Sequence, residues 1–361
     1  MEANGDMLRL ARQRKGFQQT EAAARLNIAQ PLLSRYENKL NRAPDDFLAV
    51  AARVYGVRVS FFFQHEPIYG APVSVHPMTR KKADVSAREM DSVVAELNIR
   101  VMHLRQFLDA VDIGSGSPLP RFDVEEFGEP EDIAALVRAH WGVPRGPLPN
   151  LTTLAERAGV IVAHSSMSGV DVSGVTFAPP GVPPLVVLRS DHPADRLRFT
   201  LAHEIGHLVM HRFPTPKMEE EANRFAAALL MPADDIKQYF LGRKIDLALL
   251  AAMKPEWRVA MQALLYRAKS LKLIERNQEE YLWKQISVKR WKLREPAELD
   301  FPVETPSVMP NLFNVFRNTL NYSITETAEL FHLYDNDIEA FYGRDVAPPP
   351  DRGKPRLSVV N

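Results

Sequence analysis

Arg198-Phe-Thr-Leu-Ala-His-Glu-Ile-Gly-His207, with Glu219-Glu-Glu-Ala-Asn-Arg-Phe-Ala226 a short way on, decides the fold of this chain. His203 and His207 are four apart, so on a helix they face the same way, one turn apart. Leu201, Ile205 and Leu208 give that helix an apolar side to bury. Two imidazoles at this spacing can share one Zn2+, and Glu204 between them can take a proton from water on the metal. Such a site needs a third ligand from a packed neighbouring helix. The second segment is patterned as one, with Ala222, Phe225, Ala226, Leu229 and Leu230 on its apolar face, and Glu219 is in position to serve.

The run R-F-T-L-A-H-E-I-G-H-L-V-M-H, then E-E-E-A-N-R-F-A-A-A-L-L-M-P, closely resembles the ImmA/IrrE family of zinc metallopeptidases over roughly residues 130 to 270. The resemblance implies a zincin-like core with His203, His207 and Glu219 on the metal and Glu204 as general base. Asn223, one turn beyond Glu219, is expected to orient a ligand from outside the coordination sphere. Glu221 is the alternative third ligand, and Glu220 reads as a solvated charge. His211 continues the histidine face and reads as a support for the ligands or as a structural residue. The Gly of the H-E-x-x-H-x-x-G-x-x-H pattern is missing, which argues against a metzincin site. Three-ligand zinc keeps a position for water, lowers its pKa toward ~7 and polarises a carbonyl. Glu204 would accept the water proton and pass it to the leaving amine.

At 361 residues the chain is long enough for two or three domains. Hydrophobic residues make up 45% and charged residues 25%, as in globular proteins, which excludes a disordered or fibrous class. With no cysteine there is no disulfide framework, thiolate metal site or cysteine nucleophile, which suits a cytoplasmic location. No apolar stretch is long enough to span a membrane, and Met1–Asp6 lacks the basic and apolar regions of a secretory signal. The net charge of zero hides a basic N-terminus: residues 1–64 hold ten Lys/Arg against six acids.

Those 64 residues read as five short helices: Met7–Lys15, Glu21–Leu26, Gln30–Asn38, Phe47–Tyr55 and a closing turn at Phe61–Phe63. Gly16 stops the first, Asn27-Ile28-Ala29 links the second to the third, and Pro31 sits harmlessly in a first turn. Two short helices joined by a tight turn in a basic unit describe a helix-turn-helix. The wording G-F-Q-Q-T-E-A-A-A-R-L-N-I-A-Q-P-L-L-S-R-Y-E-N resembles the phage-repressor-like, xenobiotic-response-element type. The resemblance implies that Gln18 touches phosphate or a base and that Gln30, Ser34 and Arg35 face the major groove.

Between these motifs, Pro67, Gly70, Pro72 and Pro77 mark a linker. Ser86–Val111 then reads as one long helix with Met90, Val93, Val94, Leu97, Val101, Leu104 and Leu108 on a stripe suited to a dimer seam or a strut. Ahead of the metal helix, Val160–His164, Val170–Ala178 and Leu185–Arg189 are strand-like. Leu185–Arg189 is the candidate edge to which a bound peptide adds itself as a strand. Downstream, residues 267–294 hold nine Lys/Arg against three Glu, interleaved with Trp283 and Trp291. That segment is either a solvated face with its Trp in the core or a contact for single-stranded nucleic acid.

The expectation is a mostly α chain with an α+β zincin-like peptidase core behind an N-terminal all-α helix-turn-helix domain. Its parts are residues 1–64 for DNA, 65–129 as linker and dimerisation helix, and 130–240 as peptidase core. Residues 241–343 follow as a basic helical region and 344–361 as a disordered tail. The resemblances imply a bacterial or phage stress or defence regulator. It would act as a homodimer on a double-stranded DNA operator and cleave itself or a partner repressor, latent until a trigger such as single-stranded nucleic acid. The alternative is a regulator whose peptidase-like domain only senses a ligand or partner.

Overall fold

The computed structural model describes residues 2–70, 72, 74–77, 86–111, 118–167, 170 and 172–342. The chain opens with α1 (Gly5–Arg14), α2 (Gln19–Arg25), α3 (Gln30–Glu37), α4 (Asp45–Tyr55) and a 3-10 turn at Val59–Phe63. A short strand β1 (Ser74–Pro77) and the long helix α5 (Ala87–Leu108) follow. Next come α6 (Val124–Phe127), α7 (Pro130–His140), α8 (Leu151–Arg157) and the strands β2 (Ile161–Ser165), β3 (Val172–Phe177) and β4 (Leu185–Arg189). The two motif helices are α9 (Ala194–Met210) and α10 (Met218–Leu230). They precede α11 (Ala233–Phe240), α12 (Leu247–Trp257), α13 (Met261–Ser270) and α14 (Arg276–Val288). Helices α15 (Val308–Asn318), α16 (Ile324–Leu330) and α17 (Asp335–Tyr342) complete the described chain. Among the described residues, no helix is long and apolar enough to cross a membrane.

The chain forms two compact units, and they do not follow the order of the sequence. The first is built from the described residues within 1–69, 90–112 and 307–361; the second from those within 70–89 and 113–306.

In the first unit, the Asn4 side chain caps α1 by accepting from Asp6 N–H, and Gly56, at φ +65°, ends α4 in a left-handed turn. A buried ion pair ties the head together. Arg12 of α1 donates from Nε and Nη2 to the Glu37 carboxylate of α3 at 2.6 and 2.8 Å, and from Nη1 to the Phe17 carbonyl. Gln19 of α2 donates to the same carboxylate at 2.8 Å, so one buried group fixes three helices. Helix α5 departs from its expected role. Val93, Leu97, Val101 and Leu104 of its stripe are buried, and so are Ile99, Met102 and His103 on other faces. A helix apolar all round belongs inside a core. The reason is the C-terminal segment, whose rings close over it: Phe107 meets Phe313, Phe316 and Phe331 edge-on at 4.8–5.0 Å. The proposed dimer seam is thus already filled within the chain. The same C-terminal helices reach the N-terminal helices, where Arg14 lies over the Phe341 ring and Arg58 donates to the Leu333 carbonyl.

The second unit holds a four-stranded sheet in the order β1-β3-β4-β2. β2 and β4 run parallel, while β3 is antiparallel to β4 and β1 is antiparallel to β3. Two corrections follow. Leu185–Arg189 is a central strand, not an edge, which fits its nearly continuous burial. And part of the expected linker, Ser74–Pro77, is itself an edge strand. The division expected at residue 240 is absent too. Trp257, Leu264, Leu265, Leu282 and Ile286 lie in one apolar cluster with Leu201, Phe225 and Leu229, so residues beyond 240 complete this core. Inside it, Lys254 is buried between Asp195 and Glu295, and the Arg198 guanidinium is held by Glu304 and the Leu148 carbonyl. Buried charges survive only when paired in this way. The expected tail at 344–361 lies outside the described residues.

Candidate metal centre

Helix α9 runs through the middle of the second unit, buried from Leu197 to Met210 apart from the half-buried Phe199. Its packing on α10 sets the site. Position 206 is glycine, so no side chain stands between the two helices where they cross. The result is a convergence of His203, His207 and Glu219, whose ligand atoms all lie within 4.8 Å of one another. His203 Nε2 and His207 Nε2 are 2.9 Å apart, and the Glu219 carboxylate oxygens lie 3.3 and 3.4 Å from them.

A chain of contacts behind His207 fixes its tautomer. Its Nδ1 lies 3.0 Å from His211 Nδ1, and His211 Nε2 lies 3.1 Å from Glu221 Oε2. Burial, and then the neighbouring His207, lower the His211 pKa, with Glu221 opposing, so His211 is neutral near pH 7. Neutral His211 donates from Nε2 to Glu221 and accepts at Nδ1 from His207. His207 is left with a bare Nε2 lone pair aimed at Glu219. Lone pairs and a carboxylate converge there, an arrangement that wants a cation. Protons can stand in for one: burial acts to raise the Glu219 pKa, but the imidazole N–H groups outweigh it and hold the carboxyl well below its usual range. A metal ion satisfies all three ligands at once, and two nitrogens with one carboxylate is a zinc donor set.

Glu204 faces the sheet. It is fully buried, and one oxygen, Oε2, accepts from the Thr176 hydroxyl of β3 at 2.6 Å and from the Ser74 hydroxyl of β1. The other oxygen, Oε1, is buried with no hydrogen-bond partner among the described residues. An orphaned carboxylate oxygen next to three converging ligands suits a water to be bound there. The close approach of β3 depends on Gly174, where an added Cβ would stand 2.5 Å from Thr200 Cγ2 and 3.4 Å from Glu204 Oε1. Beside Glu219, a groove of about 1670 Å3 extends along Phe199, Asn223 and Tyr266 to Trp283 and Trp291.

The remaining expected residues divide. Glu221 sits against His211 rather than at the convergence. The Asn223 amide donates to the Glu219 backbone carbonyl at 2.7 Å, so it braces the helix turn, not the carboxylate. Glu220 is exposed. In the head, Gln18 and Arg35 are exposed, whereas Gln30 and Ser34 are half-buried. The Gln30 amide donates to Gln19, and the Ser34 hydroxyl accepts from Asn38. The basic run is less free than its composition suggests. Arg267 is buried and donates to the Met231 carbonyl, while Lys269, Arg276 and Arg294 pair with Glu279, Glu280 and Asp300. Trp283 and Trp291 are half-buried against the core, Trp283 packed on Tyr266. The sequence offered no periodic signal for Ser74, Thr176 or Gly174. Ser74 hides in a stretch punctuated by prolines, and Thr176 and Gly174 read as ordinary strand positions.

Comparison with known families finds two matches along the chain. Residues 155–269 match the family model for the IrrE N-terminal-like domain of peptidase family M78, and residues 8–62 match the helix-turn-helix model. No curated protein matches the chain. The chain therefore joins an N-terminal helix-turn-helix to an ImmA/IrrE domain.

Proposed function

From a chain that carries a helix-turn-helix ahead of an IrrE-type domain, we propose a DNA-binding regulator whose second unit is a zinc-dependent endopeptidase. Its substrate would be a peptide bond in itself or in a partner repressor. The observation that carries the reading is the convergence of His203, His207 and Glu219 beside a buried carboxylate with one unpartnered oxygen. Bound by those three residues, zinc supplies Lewis acidity to water and to a substrate carbonyl. The chain's own residues do the rest. His211 and Glu221 hold the His207 ring with its Nε2 lone pair forward. Thr176 fixes one oxygen of Glu204, leaving Oε1 to take a proton and return it to a leaving amine. The groove beside Glu219 has room and apolar walls for substrate side chains. Gln18, Gln30, Ser34 and Arg35 would meet duplex DNA, with Arg35 the one cation of that set and exposed.

Two measurements test this reading. Protein purified without chelator should hold one zinc per chain by elemental analysis. Incubation with candidate repressors should give cleavage by the wild type and none by Glu204→Gln. Zinc binding with no cleavage of any repressor, under any condition, would instead favour a sensor domain.

A further inference from the structure

The edge of the sheet beside the metal centre is already taken, and the occupant is the chain itself. β3 is the strand next to Glu204, and nothing later in the sequence pairs with its outer side among the described residues. β1 does, running antiparallel in the register Ser74↔Thr176, Val75↔Val175 and His76↔Gly174. An extended peptide adding to a sheet edge makes the same backbone bonds. Ser74 and Thr176 stand opposite each other across this pair, and both hydroxyls donate to the same Glu204 oxygen. The strand is only four residues long, and Ser74 is buried within it.

We propose that β1 is a displaceable ligand in cis, occupying the edge that an extended peptide substrate takes and keeping the peptidase latent. This rests on the peptidase reading above. The partner that displaces it is an extended segment pairing antiparallel to β3. It carries a small hydroxyl residue opposite Thr176, because Ser74 sets the space and the bond available there. Latency then lies in the geometry: while β1 is paired, no second strand can reach β3 beside Glu204. Anything that draws β1 away opens that edge and leaves Glu204 held by Thr176 alone.

The test uses the full chain, loaded with zinc. Ser74→Pro with Val75→Pro opens the edge, since successive strand N–H groups point to opposite sides and one of the two prolines must remove a donor aimed at β3. The first readout is fluorescence anisotropy with a labelled peptide copying residues 72–79, in a Glu204→Gln background where nothing is cut. The opened chain should bind it about ten-fold or more tighter than the chain with β1 intact, as expected if the resting edge is free a tenth of the time or less. Equal binding overturns the proposal. The second readout is hydrolysis of quenched fluorescent casein with Glu204 in place. The opened chain should cut faster than the wild type by a similar factor. Equal cutting by both would keep the peptidase and discard the plug. Tighter binding without any cutting would keep the edge occupant and discard the peptidase.

Discussion

Gly206 and Phe225 meet where α9 crosses α10: a β-carbon on Gly206 would lie 2.9 Å from the Phe225 ring and 3.4 Å from the Ala222 Cα. Phe225 is fully buried, so its ring has nowhere to go. Gly206→Ala gains about 1 kcal/mol of helix propensity but loses about 1–3 kcal/mol to overpacking. Overpacking wins, and the relief is a shift of α10 that carries Glu219 away from the histidines. Zinc affinity should fall along with thermal stability. A Gly206→Ala protein that binds zinc as tightly as the wild type would show that the crossing does not set the ligand geometry.

The contacts behind His207 give a graded expectation. His203→Ala should abolish zinc retention, since His207 and Glu219 are left as only two ligands for the ion. His211→Phe keeps every ligand and removes only the ring that fixes the His207 tautomer, so affinity should drop about 10–100-fold. Competition against a chromophoric chelator separates the two; identical losses would mean His211 is itself a ligand.

Glu37 holds the head. Removing it strands the Arg12 guanidinium, whose side chain is only 9% exposed, and breaking a buried pair costs about 3–5 kcal/mol. Glu37→Ala should therefore lose DNA binding through unfolding of residues 1–64 rather than through lost contacts. Arg12→Met combined with Glu37→Leu should recover much of that stability in urea denaturation, because no buried charge remains unpaired.

Acid should weaken the first unit through His103. Burial, then the Arg14 and Arg100 guanidiniums and His332, push its pKa well below 6.5, with only the Phe331 backbone acting the other way. The neutral ring stacks on Phe331 at 4.3 Å and bonds the Tyr342 hydroxyl. Folding therefore keeps His103 neutral while the unfolded chain protonates it. Its contribution is complete above about pH 6.5 and is lost as pH falls from there toward the folded pKa, by at most about 1.4 kcal/mol per pH unit. His332, lowered by burial and Arg58, acts in the same sense. His103→Gln should be less stable at pH 7.5 yet show a shallower slope between pH 6.5 and 5; an unchanged slope would exclude His103 as the source.

Arg35 lies exposed on α3 with no ion pair among the described residues. If it reads a base, Arg35→Ala should cost about 1–3 kcal/mol on the specific operator and relax preference at one position. A uniform loss across sequences, with a smaller salt dependence, would place it on phosphate instead.

The parts of the fold that were legible in the sequence are those with their own periodicity. The His203–His207 spacing, the Glu219 helix and the short helices of the head each carry their pattern locally, and the structure has helices there. What stayed hidden depends on partners distant in sequence. The α5 stripe looked like a seam because nothing nearby announces that Phe313, Phe316 and Phe331, some two hundred residues on, will cover Phe107. Leu185–Arg189 was misplaced at the edge because a strand buried on both faces reads the same whether one neighbour or two flank it. Ser74 could not be found at all: a hydroxyl among prolines has no pattern, and only the pairing with Thr176 gives it meaning.

Because the first unit draws on stretches that both precede residue 113 and follow residue 306 in the sequence, scission and release are separate events. A nick within residues 113–306 divides the polypeptide into two fragments, each still holding part of the head's packing. Arg14 on Phe341, Arg58 on the Leu333 carbonyl and the Phe107 ring cluster would keep those fragments joined, as in a split protein that reassembles. An electrophoretic gel would report a cleaved regulator while the DNA-binding head remained whole. Loss of α15–α17, by contrast, would uncover α5 and dismantle the head without touching a single residue of the helix-turn-helix.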